Sequence, residues 1–150
     1  MNRQLALSIG LLMSACSTVR YQPYTARRYP QTVSHAVIAY AGDLPTLTQA
    51  GGVQLGSFDA EADIFLSTER LEAELCQQAA MVGATHLVIM EQTTEKHITG
   101  EISYTQETAF GTETKTEPTT EARHHRKAFA IRVPHKNMSS LPYELRIHAH

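Results

Sequence analysis

The chain has 150 residues, a mass of 16.6 kDa and a formal net charge of −2, and 42% of its residues are hydrophobic. This length is enough for one small domain and too short for two ordinary ones. A net charge this close to zero lacks the basic field that nucleic-acid binding needs, so we expect no nucleic-acid partner.

The first 15 residues predict a secretory signal peptide. A charged start, Met1-Asn2-Arg3, precedes an apolar run from Leu5 to Met13, and two small residues follow. This order of charged, apolar and small residues is typical of a segment that is removed on export. As a helix the apolar run would rise about 14 Å, which is too short for a hydrocarbon core of roughly 30 Å. We therefore expect no membrane-spanning helix here.

The residues around Cys16 resemble the lipobox of bacterial lipoproteins. The motif reads Met13-Ser14-Ala15-Cys16, with Met13 where Leu is the commonest residue of the family. The resemblance implies cleavage before Cys16, a diacylglycerol on its sulfur and an acyl chain on its new amino terminus. Several acyl chains together hold a protein stably on a membrane. Ser17 in place of Asp implies export to the outer membrane of a Gram-negative bacterium, with the domain facing the periplasm. We expect no other cofactor.

Residues 16–33 predict a tether between this anchor and the folded domain. Prolines oppose a helix, and arginines are interleaved with tyrosines. The candidate contact residues are Arg20, Tyr21, Tyr24, Arg27, Arg28 and Tyr29. Fully extended, the segment would reach roughly 50 Å. Arginine favours anionic headgroups and tyrosine favours the membrane interface, but the same residues could line a groove in a partner protein.

Residues 34–134 predict a single α/β domain. Apolar and β-branched residues indicate strands over 34–40, 53–58 and 127–133. A continuous apolar run over 86–90 indicates a further strand that is buried on both faces.

A helix is predicted between the second and third of these strands in chain order. Ser67 is a candidate N-cap, and Gly83 stands where a glycine often ends a helix. Apolar residues recur on one face between them, at Leu71, Leu75, Ala79 and Val82. We therefore expect an α+β fold of two layers, with a mixed β-sheet, elements in the order β-β-α-β-β, and one main helix packed on one face.

Residues 92–126 are rich in threonine and glutamate and contain few large aliphatic residues. Their alternation allows a long polar hairpin around Phe110-Gly111, and their composition equally allows a disordered insertion. Pro134 is expected to end the last strand, and residues 135–150 are expected to form a polar, frayed tail.

Three alternate carboxylates precede the helix, at Asp59, Glu61 and Asp63. A calcium-binding loop beginning at Asp59 would need Gly at its sixth position and Glu at its twelfth, where Ile64 and Arg70 stand. We therefore expect a solvated connection there.

Five histidines lie in the last third of the chain and form the candidate metal ligands: His124, His125, His135, His148 and His150. Their spacing does not match zinc-ligand patterns, and adjacent histidines on a strand point to opposite faces. We expect solvated or interface histidines, with metal binding as the alternative.

No motif for catalysis occurs in the sequence: a nucleophile elbow, a phosphate-binding loop and a dinucleotide fingerprint are all missing. With Cys16 acylated, Cys76 stands alone, so an intramolecular disulfide is excluded. His86 is its only conceivable imidazole partner, and the helix position favours a buried structural cysteine. We therefore expect a protein that is not an enzyme.

Part of the domain is similar to the superfamily of the stress-sensor lipoprotein RcsF and the YbjQ-type proteins, which are described as heavy-metal-binding. The similarity lies in Gly51 to Phe58, in the helix from Ser67, and in Gly83-Ala84-Thr85-His86-Leu87-Val88-Ile89. The resemblance implies an arginine- and proline-containing tether that engages outer-membrane proteins. In the sensor lipoprotein disulfides lock the fold, whereas this chain cannot form one.

The sequence as a whole thus predicts a lipid-anchored envelope protein with a non-catalytic role in binding, sensing or assembly. We expect it to act through contacts with an envelope or outer-membrane protein. The alternative is a periplasmic protein that binds a metal or a small ligand through its C-terminal histidines.

Overall fold

The computed structural model describes residues 17–63 and 66–147 and contains one mixed β-sheet with an α-helix packed on it. The elements in chain order are β1 Ser17–Pro23, β2 Val37–Tyr40, α1 Leu44–Gln49, β3 Val53–Asp63, α2 Thr68–Met81, β4 His86–Thr108 and β5 Gly111–Arg132. The strands lie in the order β1-β3-β5-β4-β2, with β2 parallel to β4 and the other neighbours antiparallel. The predicted α+β class is confirmed, but the chain order of the elements differs.

The main helix, α2, lies where the sequence predicted it. The Ser67 side chain accepts a hydrogen bond from the Arg70 N–H at 3.3 Å, which satisfies one backbone donor of the first turn. The helix ends at Met81, and Gly83 follows with a φ of +91°. Leu71 and Leu75 are fully buried against the sheet.

Two hydrophobic clusters cover the two faces of the sheet at its base, which is the part away from the turn between β4 and β5. The first lies between α2 and the sheet and includes Phe58, Leu75 and Leu87. The second lies on the opposite face, under α1 and the C-terminal segment, and includes Leu47, Val88 and Ile131. The base is therefore covered on both sides, whereas one helix on one face was expected.

The prediction of a tether over residues 16–33 is wrong for residues 17–23. Ser17–Pro23 form β1, an edge strand antiparallel to β3. Residues 24–33 then cross the body without regular secondary structure, and the Tyr24 N–H donates to the Leu55 carbonyl at 2.9 Å. Val19 and Tyr21 face the first cluster while their neighbours face outward, which is the alternation of a half-buried strand.

Residues 135–147 are not the frayed tail that was expected. Two short 3₁₀ helices, His135–Ser140 and Tyr143–Leu145, follow β5. They bring Leu141 and Leu145 into the second cluster, where both are buried.

Three further strand and helix bounds differ from the predictions. The first predicted strand begins at Val37 rather than at residue 34, and α1 lies in a segment for which no helix was predicted. The predicted solvated connection at Asp59, Glu61 and Asp63 is wrong, because these residues continue β3. Ala60 and Ala62 alternate with them and face the core, so the carboxylates all lie on the other face.

Residues 92–126 form the hairpin, which was one of the two alternatives that the sequence left open. The pairing of β4 with β5 runs to Thr108 opposite Gly111, and Ala109 and Phe110 form the turn. Gly111 has a φ of +129°, a conformation that side chains other than glycine rarely adopt.

Candidate binding surface

The outer part of the hairpin projects from the body as an arm, which we define as residues 96–122. The last position at which β5 pairs with both neighbours is Arg123, opposite Asp63 on β3 and Glu95 on β4. Beyond it, β4 continues for 13 residues, or about 43 Å at roughly 3.3 Å per residue. Among the described residues, no strand pairs with either outer edge of the arm.

The arm carries the whole formal charge of the chain that follows the predicted signal peptide. It contains five glutamates and two lysines, a formal charge of −3. The rest of residues 16–150 contain ten basic and ten acidic side chains. The arm is therefore acidic, whereas the rest of residues 16–150 has no net formal charge.

Exposed large apolar side chains lie along the arm strand of β4 and at its tip. Ile98, Ile102 and Tyr104 are exposed on β4, and Phe110 is fully exposed at the turn. The Tyr104 hydroxyl donates to the Glu117 carboxylate at 2.8 Å across the strand pair, and this bond raises the pKa of Tyr104. Apolar side chains left in water on one strand mark a surface that can contact another molecule.

Charged side chains of alternating sign cover the sheet face opposite α2, between the second cluster and the arm. Arg123 Nη1 lies 2.9 Å from Glu61 Oε1, and Lys127 Nζ lies 3.5 Å from Glu91 Oε2. His125 Nε2 lies 3.8 Å from the nearest oxygens of both Glu61 and Glu95. All of these groups except Arg123 border a concavity of about 310 Å³. Because the opposite charges alternate and pair, the surface presents no single-sign field for an ion.

The six predicted contact residues are divided among different parts of the body. Arg20 lies on the charged face. The Tyr21 ring packs against Phe58 at 4.7 Å between centroids, and burial raises the pKa of Tyr21. The Tyr24 ring lies 6.4 Å from that of Phe129.

The remaining three of the six follow in the segment that crosses the body. The centroid of the Tyr29 ring lies 5.1 Å from the Arg27 guanidinium carbon and 5.2 Å from that of Arg132. Arg28 is exposed. Three of the tyrosines therefore contact side chains of the fold itself, which leaves less of this segment free for a membrane or a partner.

The candidate metal ligands are not brought together among the described residues. His124 and His125 lie on opposite faces of β5, and His124 Nδ1 is 2.9 Å from the Thr94 hydroxyl. His135 begins the first 3₁₀ helix, whereas His148 and His150 lie outside the described residues. Among the residues whose side chains the structure describes, no three His, Cys, Asp or Glu side chains are placed to hold one metal ion.

Cys76 and His86 do not form a pair. The Cys76 thiol is buried in the first cluster, and burial together with the Glu72 charge raises its pKa to about 11. The His86 ring lies on the other face, where Nε2–H donates to the Leu145 carbonyl at 2.7 Å. Nδ1 lies 2.8 Å from the Thr85 hydroxyl, and burial lowers the pKa of His86.

His86 is a structural residue whose role sequence reasoning missed. A carbonyl only accepts, so the bond to Leu145 fixes the proton of the neutral ring on Nε2. Nδ1 is then the acceptor for the Thr85 hydroxyl. The ring thus joins the C-terminal segment to the start of β4. A histidine inside an otherwise apolar run was the available signal.

Comparison with protein-family models, with curated proteins and with solved structures finds no match to this chain. Met13, Ser14, Ala15 and Cys16 lie outside the described residues. Within the described residues, no helix has the length and apolar character needed to cross a bilayer. Among the described residues, the arm combines strand edges that no further strand pairs with and exposed apolar side chains at Ile98, Ile102 and Phe110.

Proposed function

We propose that this chain is a lipid-anchored, non-catalytic binding module of the bacterial envelope, which presents the arm to a partner protein. The observation that carries the proposal is the arm itself, a two-stranded hairpin that extends about 43 Å from a packed body at roughly 3.3 Å per residue. An isolated two-stranded hairpin is at best marginally stable in water. A third strand or a packed surface supplied by a partner would stabilise it.

The arm and Ser17, the first residue of β1, lie at the same end of the sheet. β1 begins at Ser17, which pairs with Ala62 near the end of β3. β4 runs in the same direction as β3, because both are antiparallel to β5. The arm therefore leaves the body at the end where β1 begins, at Ser17.

This geometry favours a partner located at the membrane. With Cys16 acylated, only one peptide bond separates the anchor from β1, so the base of the arm lies close to the bilayer. An open, charged hairpin cannot enter the hydrocarbon core, because its edge N–H and C=O groups would be unsatisfied. Its formal charge of −3 is also repelled by anionic headgroups. A protein at the membrane that receives the arm satisfies both conditions.

Photo-crosslinking in living cells tests the proposal. A photoreactive residue at Thr114, on the arm, is compared with one at Met81, which is exposed at the end of α2. We expect a discrete product from Thr114, no such product from Met81, and loss of the Thr114 product in the unanchored Cys16→Ala variant. Crosslinking from Met81 but not from Thr114 contradicts the proposal that the arm is the contact surface.

A further inference from the structure

The two outer edges of the arm differ in their ability to accept another strand. Pro118 lies in the middle of the arm strand of β5, paired with Glu101. Proline has no N–H, and within sheets it occurs with its nitrogen side facing solvent. The outer edge of β5 therefore lacks a backbone donor at this point.

The outer edge of β4 is continuous. Pairing between the two strands shifts register between Ile98 and Gly100 and is then regular from Gly100 to Thr108. These nine residues contain no proline. They form an uninterrupted row of backbone donors and acceptors, which is the surface that strand addition requires.

The side chains of this edge specify what kind of strand would fit. Ile102 and Tyr104 lie on one face and are 55% and 39% exposed. Glu101 and Glu107 lie on the other face, six residues apart, and both are exposed. An added strand would meet apolar groups on one face and two carboxylates on the other.

The charge of the arm favours one occupant. A second copy of this chain would bring another arm with a formal charge of −3, and like charges opposite each other destabilise a strand pair. A basic strand would instead place its cations beside Glu101 and Glu107. We propose that an extended, basic segment of the partner protein adds to β4 over Gly100–Thr108, with cations six residues apart on one face and apolar side chains on the other. This rests on the proposed function, since it takes the arm as the contact surface.

A matched pair of proline variants tests which edge is used. Ser103 pairs directly with Thr116, two positions along the strands from the pair of Glu101 and Pro118. Residues two positions apart on a strand point their N–H groups to the same edge, so the N–H groups of Ser103 and Thr116 both point to the outer edges of the arm. Ser103→Pro removes a donor from the outer edge of β4, and Thr116→Pro removes one from the outer edge of β5. Both variants lose the same contact, since the two hydroxyls lie 3.1 Å apart.

The probe is a labelled peptide of about twelve residues, with two lysines six positions apart and valine or isoleucine on the other face. Its binding to the full chain is followed by fluorescence anisotropy. We expect Ser103→Pro to weaken binding about tenfold and Thr116→Pro to change it less than about twofold, since only the first loses a bonded donor. Glutamate in place of the two lysines should also weaken binding about tenfold. Equal binding by both proline variants, or to both peptides, overturns the inference.

In-cell crosslinking separates this inference from the proposed function. If the product from Thr114 persists in Ser103→Pro, the arm binds a partner but the β4 edge does not, and only the inference fails. If no product forms from Thr114 in the wild type, both fail. A crosslinked product that consists of two copies of this chain overturns the proposal of a basic partner. Loss of the product in Ser103→Pro alone, with a lysine- or arginine-rich segment identified by mass spectrometry, supports the inference.

Discussion

Replacing Gly56 by alanine tests whether residues 17–23 are docked as β1 or form a free tether, because the two arrangements predict opposite signs. Gly56 lies in β3 opposite Pro23 of β1. An added Cβ would meet the Gln22 carbonyl oxygen and would lie 2.6 and 2.7 Å from two atoms of the Tyr21 ring. Contacts this short are not tolerated, so β1 has to move away from β3.

The expected magnitude follows from these contacts. The carbonyl is backbone, so the clash cannot be relieved by rotating a side chain, and forcing extra atoms into a packed site costs about 1–3 kcal/mol. If residues 17–23 were free instead, Gly56→Ala would stabilise the strand by about 0.5–1 kcal/mol, because glycine loses more backbone entropy on folding. The docked strand therefore predicts a loss in the free energy of unfolding and the tether predicts a gain.

Urea unfolding of Gly56→Ala and the wild type measures this difference. Gly42→Ala is the control, because no heavy atom lies within 4 Å of its added Cβ and its φ is not positive. We expect the control to stay within about 0.5 kcal/mol of the wild type. A Gly56→Ala protein as stable as the control, or more stable, would refute the docking of β1.

Three further predictions concern the core, the pH response and the anchor. Leu75 is fully buried, so Leu75→Asp should abolish folding, because an unpaired buried carboxylate costs several kcal/mol; a protease-resistant variant that melts cooperatively contradicts this. Burial lowers the pKa of His86 in the folded state. Below about pH 6.5 the unfolded chain therefore takes up a proton that the folded chain does not, so the free energy of unfolding should decrease as the pH is lowered. His86→Gln should reduce the fall between about pH 7.5 and 5.5 in urea unfolding, and an identical slope in both proteins contradicts the assignment. Cys16→Ala should abolish incorporation of a labelled fatty acid, and retained label would place the acylation elsewhere.

The elements that the sequence predicted well are those whose information is local. Ser67, the apolar spacing through Leu75, and Gly83 all lie within one helix, so α2 could be placed from neighbouring residues alone. The apolar run at 86–90 was sufficient to predict the start of β4 for the same reason. In both cases each residue is interpreted against residues a few positions away.

The elements that were missed depend on contacts between distant segments. In β1 the inward residues are only Val19 and Tyr21, and their partners on β3 lie about forty residues away in the chain. The arginines and prolines of the segment therefore led to the prediction of a tether. Leu141 and Leu145 have no periodic pattern, and their burial depends on the second cluster and, for Leu145, on His86. A segment with two apolar residues looks like a tail until the surface that receives it is known.

In the candidate site, too, features that depend on neighbouring residues could be predicted, and features that depend on strand pairing could not. The residues that resemble a lipobox are contiguous, so acylation of Cys16 could be predicted from sequence alone, and this prediction awaits the labelling experiment. The alternation in residues 92–126 allowed a hairpin, but the choice between its edges needed the register. Only the pairing of Pro118 with Glu101, and the shift between Ile98 and Gly100, make the two edges unequal.

The same features oppose pairing between the arms of two copies of this chain. An exposed strand edge is a template for pairing between copies, and sheets limit this with charges, prolines and bulges. The arm has all three: five glutamates, Pro118 on β5, and the register shift at Ile98 on β4. Two arms side by side would place acidic strands against each other, whereas a basic strand would find complementary charge over Gly100–Thr108. We therefore infer that the residues that oppose self-association also select the partner.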